Sequence, residues 1–246
     1  MPFSYRDSQI AELLSEFGNP EVREAVELCS LAYVLQGVSF FIDVGSNVGQ
    51  YVFHAAKHLR NARIVAIEAN PLIVPVLQRT IEELRSHDVS GNQYEVRAAA
   101  ASDVPGEIEF HISRLPTLSS VTPNTKAETV WVPALSLDDL YIPSVRTLIK
   151  IDIEGAEYRA LRSASRFLQS DDTSFLVELH SWGDPAIRKY PLHVCWLLFK
   201  HRFASRRIAA HYLFYKASWI RAGLSLAREL PPQVLKYLWS RFRSGG

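Results

Sequence analysis

Five residues in two short segments could do chemistry. Lys150, Asp152 and Glu154 alternate along "LIKIDIEG", and Glu178 and His180 along "SFLVELH". A strand sends every second side chain to one face. Leu148, Lys150, Asp152 and Glu154 therefore share a face, opposite Ile149, Ile151 and Ile153; Glu178 and His180 share a face opposite Phe175, Val177 and Leu179. A buried parallel strand is ordinarily apolar on both faces, and unpaired buried charge costs several kcal/mol. The cost falls at the strand ends, where α/β sheets bind ligands, so the five groups are expected to converge on one crevice. His180 is the expected general base, because an ordinary imidazole titrates at about 6.5. Asp152 could orient His180 or a ligand amine. Lys150 and Glu154 complete the catalytic set, although Lys150 could instead form a buried ion pair with Glu178. Asp152, Glu154 and His180 could gather a divalent metal, but their spacing does not specify one, and no metal is assigned. Glu157, in the following helix, reads as solvated.

The elements that must position these residues alternate between strand and helix. "VSFFIDVG" reads as a buried strand and "SNVGQYVFHAAKHL" as its helix. "RIVAIEAN" is a second strand, and "PLIVPVLQRTIEELRS" a helix with Ile73, Leu77, Ile81 and Leu84 on one face. Asn70-Pro71 can start that helix, with Pro75 disturbing its first turn. "YEVRAAAAS" is a third strand, "GEIEFHIS" a hairpin element, and residues 114–130 a Ser/Thr/Pro-rich loop in which Ser119 and Ser120 could lid the crevice. The fourth and fifth parallel strands carry the chemical residues, with "AEYRALRSASRFL" between them as one helix. "LHVCWLLFKH" is a further helix, and "SRRIAAHYLFYKA" closes the sheet as two antiparallel strands. The predicted fold is a doubly wound α/β sheet. Residues 8–36 read as helical, with Asn19 as a cap and Gly37 as a stop, and residues 218–246 as two short helices split at Pro231-Pro232.

The first strand ends in "DVGSNVG". Gly45 and Gly49 allow a tight turn, and the helix behind offers free N–H groups. Asn47 stands where a dinucleotide fingerprint would place its middle glycine, and Asp43 would repel a pyrophosphate. Glu68, ending the second strand ahead of Ala69 and Asn70, is placed to accept ribose hydroxyls. An amine, a ribose and no phosphate describe S-adenosylmethionine. Asp43 and Glu68 could alternatively only cap their loops.

In sequence order, "FIDVGSNVGQY", "VAIEANP", "SLDDL", "LIKIDIEGAE" and "LVELH" resemble the FkbM family of S-adenosylmethionine-dependent methyltransferases over residues 38–216. The resemblance implies a class I methyltransferase (Rossmann-like) fold of seven strands, the last antiparallel. It implies methyl transfer to a hydroxyl of a sugar, glycoconjugate or secondary metabolite, leaving S-adenosylhomocysteine. It places Asp43, Gly45 and Gly49, in the turn with Ser46 and Asn47, by the methionine part, Glu68 on the ribose, Ser102 and Asp103 near the adenine, and Asp152 between cofactor and acceptor. Residues 1–37, a helical extension, and 217–246, a basic amphipathic tail, lie outside it.

Composition is that of a globular protein: 48 % hydrophobic and 22 % charged residues argue against disorder. Cys29 and Cys195 lack disulfide-framework or zinc spacing. The first residues carry no basic head followed by an apolar stretch, so the expected location is cytoplasmic. Net charge is +1, yet residues 201–246 hold nine Lys/Arg against one acid, Glu229. Val234, Leu235, Leu238, Trp239 and Phe242 share a helical face there, so peripheral contact of 218–246 with the inner membrane surface is an expectation beside simple packing on the domain. The tail could also serve a non-catalytic module that binds a partner, but no nucleic-acid motif accompanies it and no nucleic-acid partner is expected. A nicotinamide-dependent oxidoreductase is disfavoured by the absent glycine fingerprint.

Overall fold

A computed structural model describes residues 30–112, 128–180 and 190–229 of the chain. The order is β1 (Phe40–Val44), α1 (Gln50–His58), β2 (Arg63–Glu68), α2 (Val74–His87), β3 (Gln93–Ala98), β4 (Ala100–Ala101), β5 (Glu107–Ile112) and β6 (Glu128–Leu135). After a 3-10 turn at Leu137–Leu140 come β7 (Thr147–Ile151), α3 (Glu157–Arg162), α4 (Ser165–Gln169), β8 (Thr173–Glu178), α5 (Tyr190–Lys200), β9 (Phe203–Ile208), β10 (His211–Lys216) and α6 (Trp219–Glu229).

Seven strands form the main sheet in the order β3-β2-β1-β7-β8-β10-β9. β10 alone runs antiparallel, inserted between β8 and β9, as the resemblance implies. Strand order reverses between β1 and β7, and the crevice at such a switch point is where doubly wound sheets bind ligands.

Alternation sorts the two faces. Phe40, Ile42, Ile149, Ile151, Phe175 and Val177 pack with Ala160, Leu161, Phe167, Val194 and Leu198 of α3, α4 and α5. Phe41 and Leu148 pack on the other face with Val52 and Ala55 of α1 and Leu77 and Ile81 of α2. Each of the valine, leucine, isoleucine and phenylalanine side chains contributes about 1.5–3 kcal/mol by leaving water. Asp43 and Lys150 fall on the Phe41/Leu148 face by alternation, so the charges of β1 and β7 belong to the α1 side.

Several local expectations need correction. Helix α2 starts at Val74, later than Pro71, because Asn70 Oδ1 accepts the Leu72 N–H at 3.0 Å and holds residues 71–73 in a turn. Pro75 then sits in the first turn, where its missing N–H has no intrahelical partner to lose. The third strand ends at Ala98; Ala100–Ala101 turn away to pair with β6 in a separate sheet of order β4-β6-β5. Residues 128–130, expected in the loop, are the first of β6 and pair with β5, completing the expected hairpin. The helix expected over 156–168 breaks between α3 and α4. There the Ser163 hydroxyl donates to Ala160 O at 2.7 Å and accepts the Leu137 N–H at 3.1 Å, competing with the helical ladder.

Residues 30–34 are helical, Leu31 and Leu35 are buried against the sheet, and Gly37 stops the segment at φ +72°. The Asn19 cap, the Ser119/Ser120 loop, and the tail beyond Glu229 with its Pro231-Pro232 split lie outside the described residues. Among the described residues no helix is long and apolar enough to cross a membrane.

Candidate active site

The turn after β1 is tied to the end of β2. The N–H groups of Gly45 and Ser46 both donate to Ile67 O, at 2.9 and 3.0 Å, and Ser46 Oγ donates to Asp43 O at 2.8 Å. Glu68 uses both carboxylate oxygens on backbone: Oε2 accepts from Asn47 N at 2.8 Å and Oε1 from Asn70 N at 2.7 Å. It therefore braces the loops and keeps lone pairs for further donors. Gly45 has φ +80°, and a Cβ there would overlap the Asp152 carbonyl oxygen. Gly49, at φ +93°, would bring a Cβ within 3.0 Å of Leu77. The sequence therefore needs glycine where β1 and β7 exit side by side. Gly45→Ala is expected to cost at least about 2 kcal/mol of stability, from left-handed strain plus the backbone clash, as read by denaturant unfolding.

Asp43 and Lys150 are register partners on neighbouring strands. Asp43 is fully buried and Lys150 is 2 % exposed. Lys150 Nζ lies 3.4 Å from Asp43 Oδ1, 3.3 Å from Asp152 Oδ2 and 3.4 Å from Gly45 O, over the Tyr51 ring at 4.4 Å. Burial alone would lower its pKa, but the two carboxylates outweigh burial and hold it above the ordinary lysine value. Lys150 is thus a fixed cation that positions Asp43 and Asp152. The Lys150–Glu178 pair is not formed: register places Lys150 beside Leu176, one pleat short of Glu178, and Asp43 beside it on the other side.

At the mouth, His180 stands among acids. Its Nε2 is 3.6 Å from Asp152, 3.7 Å from Glu154 and 3.9 Å from Glu178, and its Nδ1 bonds Glu157 Oε1 at 2.8 Å. The five expected groups do converge. Their company changes the role of His180: burial would lower its pKa, but the bond to Glu157 and the charges of Asp152, Glu157 and Glu154 push it up to about 9. At neutral pH it is an imidazolium, already holding the proton that a base would have to take. Burial, with the neighbouring carboxylates, pushes Glu154 up to about 7 against the opposing pull of His180. Glu154 is 30 % exposed at its side chain and has φ +53°, a left-handed conformation that is strained for a glutamate. Asp152 is held below the usual carboxylate range, its burial offset by Lys150, His211 and His180.

Two residues of the cluster escaped sequence reasoning. Glu157 is 2 % exposed, bonded to Gly155 N at 2.9 Å as well as to His180, so the expectation that it is solvated is wrong. Its position as the first residue of α3, at the crevice end of the helix, was the available signal. His211 opens β10 opposite Glu178, with Nε2 3.9 Å from Glu178 Oε2. A closing antiparallel strand beside β8 has to begin at the crevice. Ser102 and Asp103 lie outside the cluster's contacts: Ser102 Oγ accepts the Val104 N–H at 3.1 Å, and Asp103 pairs with Arg162 at 3.0 Å. Ala69 is half-buried and Asn70 buried beside Glu68.

The sequence profile of the FkbM methyltransferase domain matches residues 43–205, the span that holds this whole cluster except His211. The chain belongs to the FkbM methyltransferase family. It is 23 % identical over 237 residues to "Methyltransferase 1" of Beauveria bassiana, covering 77 % of this chain and 93 % of that one. Its fold is shared with the O-methyltransferase from Bacillus cereus solved with S-adenosylhomocysteine, at a TM-score of 0.50 and 14 % identity over 85 % of this chain and 90 % of that one. The architecture is that of class I methyltransferases, and the methyl donor of this FkbM protein is S-adenosylmethionine. The turn fits that donor on its own terms: Asn47 Oδ1, beside Glu68, is buried with no hydrogen-bond partner among the described residues, an acceptor for an amine or hydroxyl. The donor is a net cation, and the cluster holds five carboxyl groups, Asp43, Asp152, Glu154, Glu157 and Glu178, against Lys150 and His180. Asp152, Glu178 and His180 bring ligand atoms within 4.8 Å of one another, close enough for a divalent cation to gather. Lys150 and the imidazolium offset part of this charge, and no metal role is assigned.

Proposed function

We propose that the protein transfers a methyl group from S-adenosylmethionine to a hydroxyl oxygen of a small acceptor, a sugar or secondary metabolite, with Glu154 taking the hydroxyl proton. The observation that carries this reading is the partly exposed Glu154 carboxyl at the crevice mouth, 3.7 Å from the His180 ring and pushed up to about 7 by burial, beside a histidine that its acids hold protonated. The donor supplies an activated sulfonium methyl group. The chain must align the acceptor oxygen and accept its proton, and positioning dominates the gain. Glu68, Asn47, Asn70 and the 43–49 turn would hold the donor, with Ser102 and Asp103 toward its adenine. Asp152, fixed by Lys150, stands between donor and acceptor. Glu157 holds the His180 ring by Nδ1, so that Nε2–H faces Asp152, Glu154 and Glu178 and keeps these carboxylates in place.

The test is incubation with methyl-labelled S-adenosylmethionine and a panel of hydroxylated acceptors. A labelled product that survives alkaline hydrolysis is the expected ether; label lost to base would mean methylation of a carboxylate and overturn the assignment. Glu68→Gln is expected to weaken S-adenosylhomocysteine binding by roughly tenfold to a hundredfold, the worth of hydrogen bonds to a charged acceptor, measured by calorimetry. Activity is expected to survive exhaustive chelation, because the fixed cations of the site are Lys150 and His180.

A further inference from the structure

On the far edge of the sheet, α6 lies along β9. Ser225 Oγ accepts the Ser205 N–H at 2.9 Å and donates to Ala222 O at 3.0 Å, and Ala222 is fully buried. The helix thereby covers the sheet's edge strand. Between them opens a cavity of about 620 Å³. Arg206, Arg221 and Arg228 line it with Ser218, and among the described side chains no aspartate or glutamate does. Ser205 also lines it; this residue is 2 % exposed, and its hydroxyl has no hydrogen-bond partner among the described residues. A buried hydroxyl left unmatched beside three guanidinium groups fits an oxyanion with several acceptor oxygens.

The large apolar residues of the same helix are exposed at the rim of this cavity, which Ile220 and Leu224 also line. Trp219, Ile220 and Leu224 are 53, 77 and 68 % exposed. Ile220 and Leu224 form one stripe at i, i+4, while Arg221, Ser225 and Arg228 form the adjacent stripe at i, i+4, i+7. An apolar stripe flanked by arginines is the pattern of a helix lying in a membrane interface. A soluble phosphate or a nucleic acid would use the arginines and leave the apolar stripe in water. The described stretch 201–229, with six Lys/Arg against one acid, adds to the attraction toward an anionic surface.

We propose that α6 and its cavity bind an anionic phospholipid surface, with lipid phosphates held by Arg206, Arg221 and Arg228 while Trp219, Ile220 and Leu224 enter the headgroup layer. This contact would bring the methyltransferase to acceptors at a membrane surface, and it stands independently of the acceptor's chemistry.

The test is flotation of the full chain with vesicles of phosphatidylcholine alone or mixed with phosphatidylglycerol. The native protein should float only with the anionic vesicles. Arg221→Glu with Arg228→Glu, and separately Ile220→Ser with Leu224→Ser, should each reduce the bound fraction roughly tenfold or more at an unchanged melting temperature. Inorganic phosphate at matched ionic strength should not release the protein. Release by phosphate, or loss in the arginine variant alone, would overturn the membrane assignment in favour of a discrete phosphate ligand. Absence of flotation, or equal flotation of native protein and arginine variant, would overturn the site itself.

Discussion

Glu154→Gln is expected to lower the methyl-transfer rate by about 10²–10⁴-fold, the range that a positioned general base supplies, while leaving S-adenosylhomocysteine affinity within a few-fold. The substitution keeps shape and removes the titration. The pH profile carries the stronger signature. Glu154 works as a base only when ionised, and its carboxyl sits at about 7 because burial and three carboxylates oppose its charge. The native rate should therefore rise with pH through about 7 and then level. The Gln variant should lose that rise. If His180 were the base, activity would instead climb only as its imidazolium loses a proton at about 9, and Glu154→Gln would leave the climb in place.

Lys150→Met should destabilise the fold by about 3–5 kcal/mol, the cost of leaving a buried charge without its partner. The charge in question is Asp43, fully buried, whose carboxyl burial already pushes up and whose counterweight is Lys150. Without the lysine, folded Asp43 holds its proton more tightly than the unfolded chain does. A group whose folded pKa is raised contributes stability at low pH and loses it as pH rises through that pKa. The deficit of the variant should accordingly narrow on acidification from neutral pH, as read by denaturant unfolding at two pH values. Adding Asp43→Asn should recover part of it at neutral pH. Equal deficits at both pH values with no rescue would show that Lys150 acts by packing alone.

Those two residues also show how far the sequence could be read. Alternation along "LIKIDIEG" and "LVELH" was enough to place Lys150, Asp152, Glu154, Glu178 and His180 at one crevice, because side-chain direction in a strand follows from parity. Alternation cannot say which strand lies beside which or at what register. Asp43, and not Glu178, answers Lys150 because β1 and β7 are neighbours in step. His211 reaches Glu178 only because β10 inserts between β8 and β9. Glu157 looked solvated because an acid in a first helical turn usually is, and its burial depends on how α3 meets the exit of β8. The protonation order of Glu154 and His180 was illegible for the same reason: each pKa is set by neighbours that only the folded chain assembles. The DVGSNVG turn was legible throughout, since a left-handed φ and a close backbone approach are demands that glycine alone meets cheaply.

The central claim is that the β1/β7 crevice holds S-adenosylmethionine. Calorimetric titration of the purified full chain with S-adenosylhomocysteine, with NAD in parallel, tests it most directly. Saturable binding of S-adenosylhomocysteine at one site per chain, with no heat from NAD, is the predicted result. Binding of NAD, or of neither ligand, would contradict it.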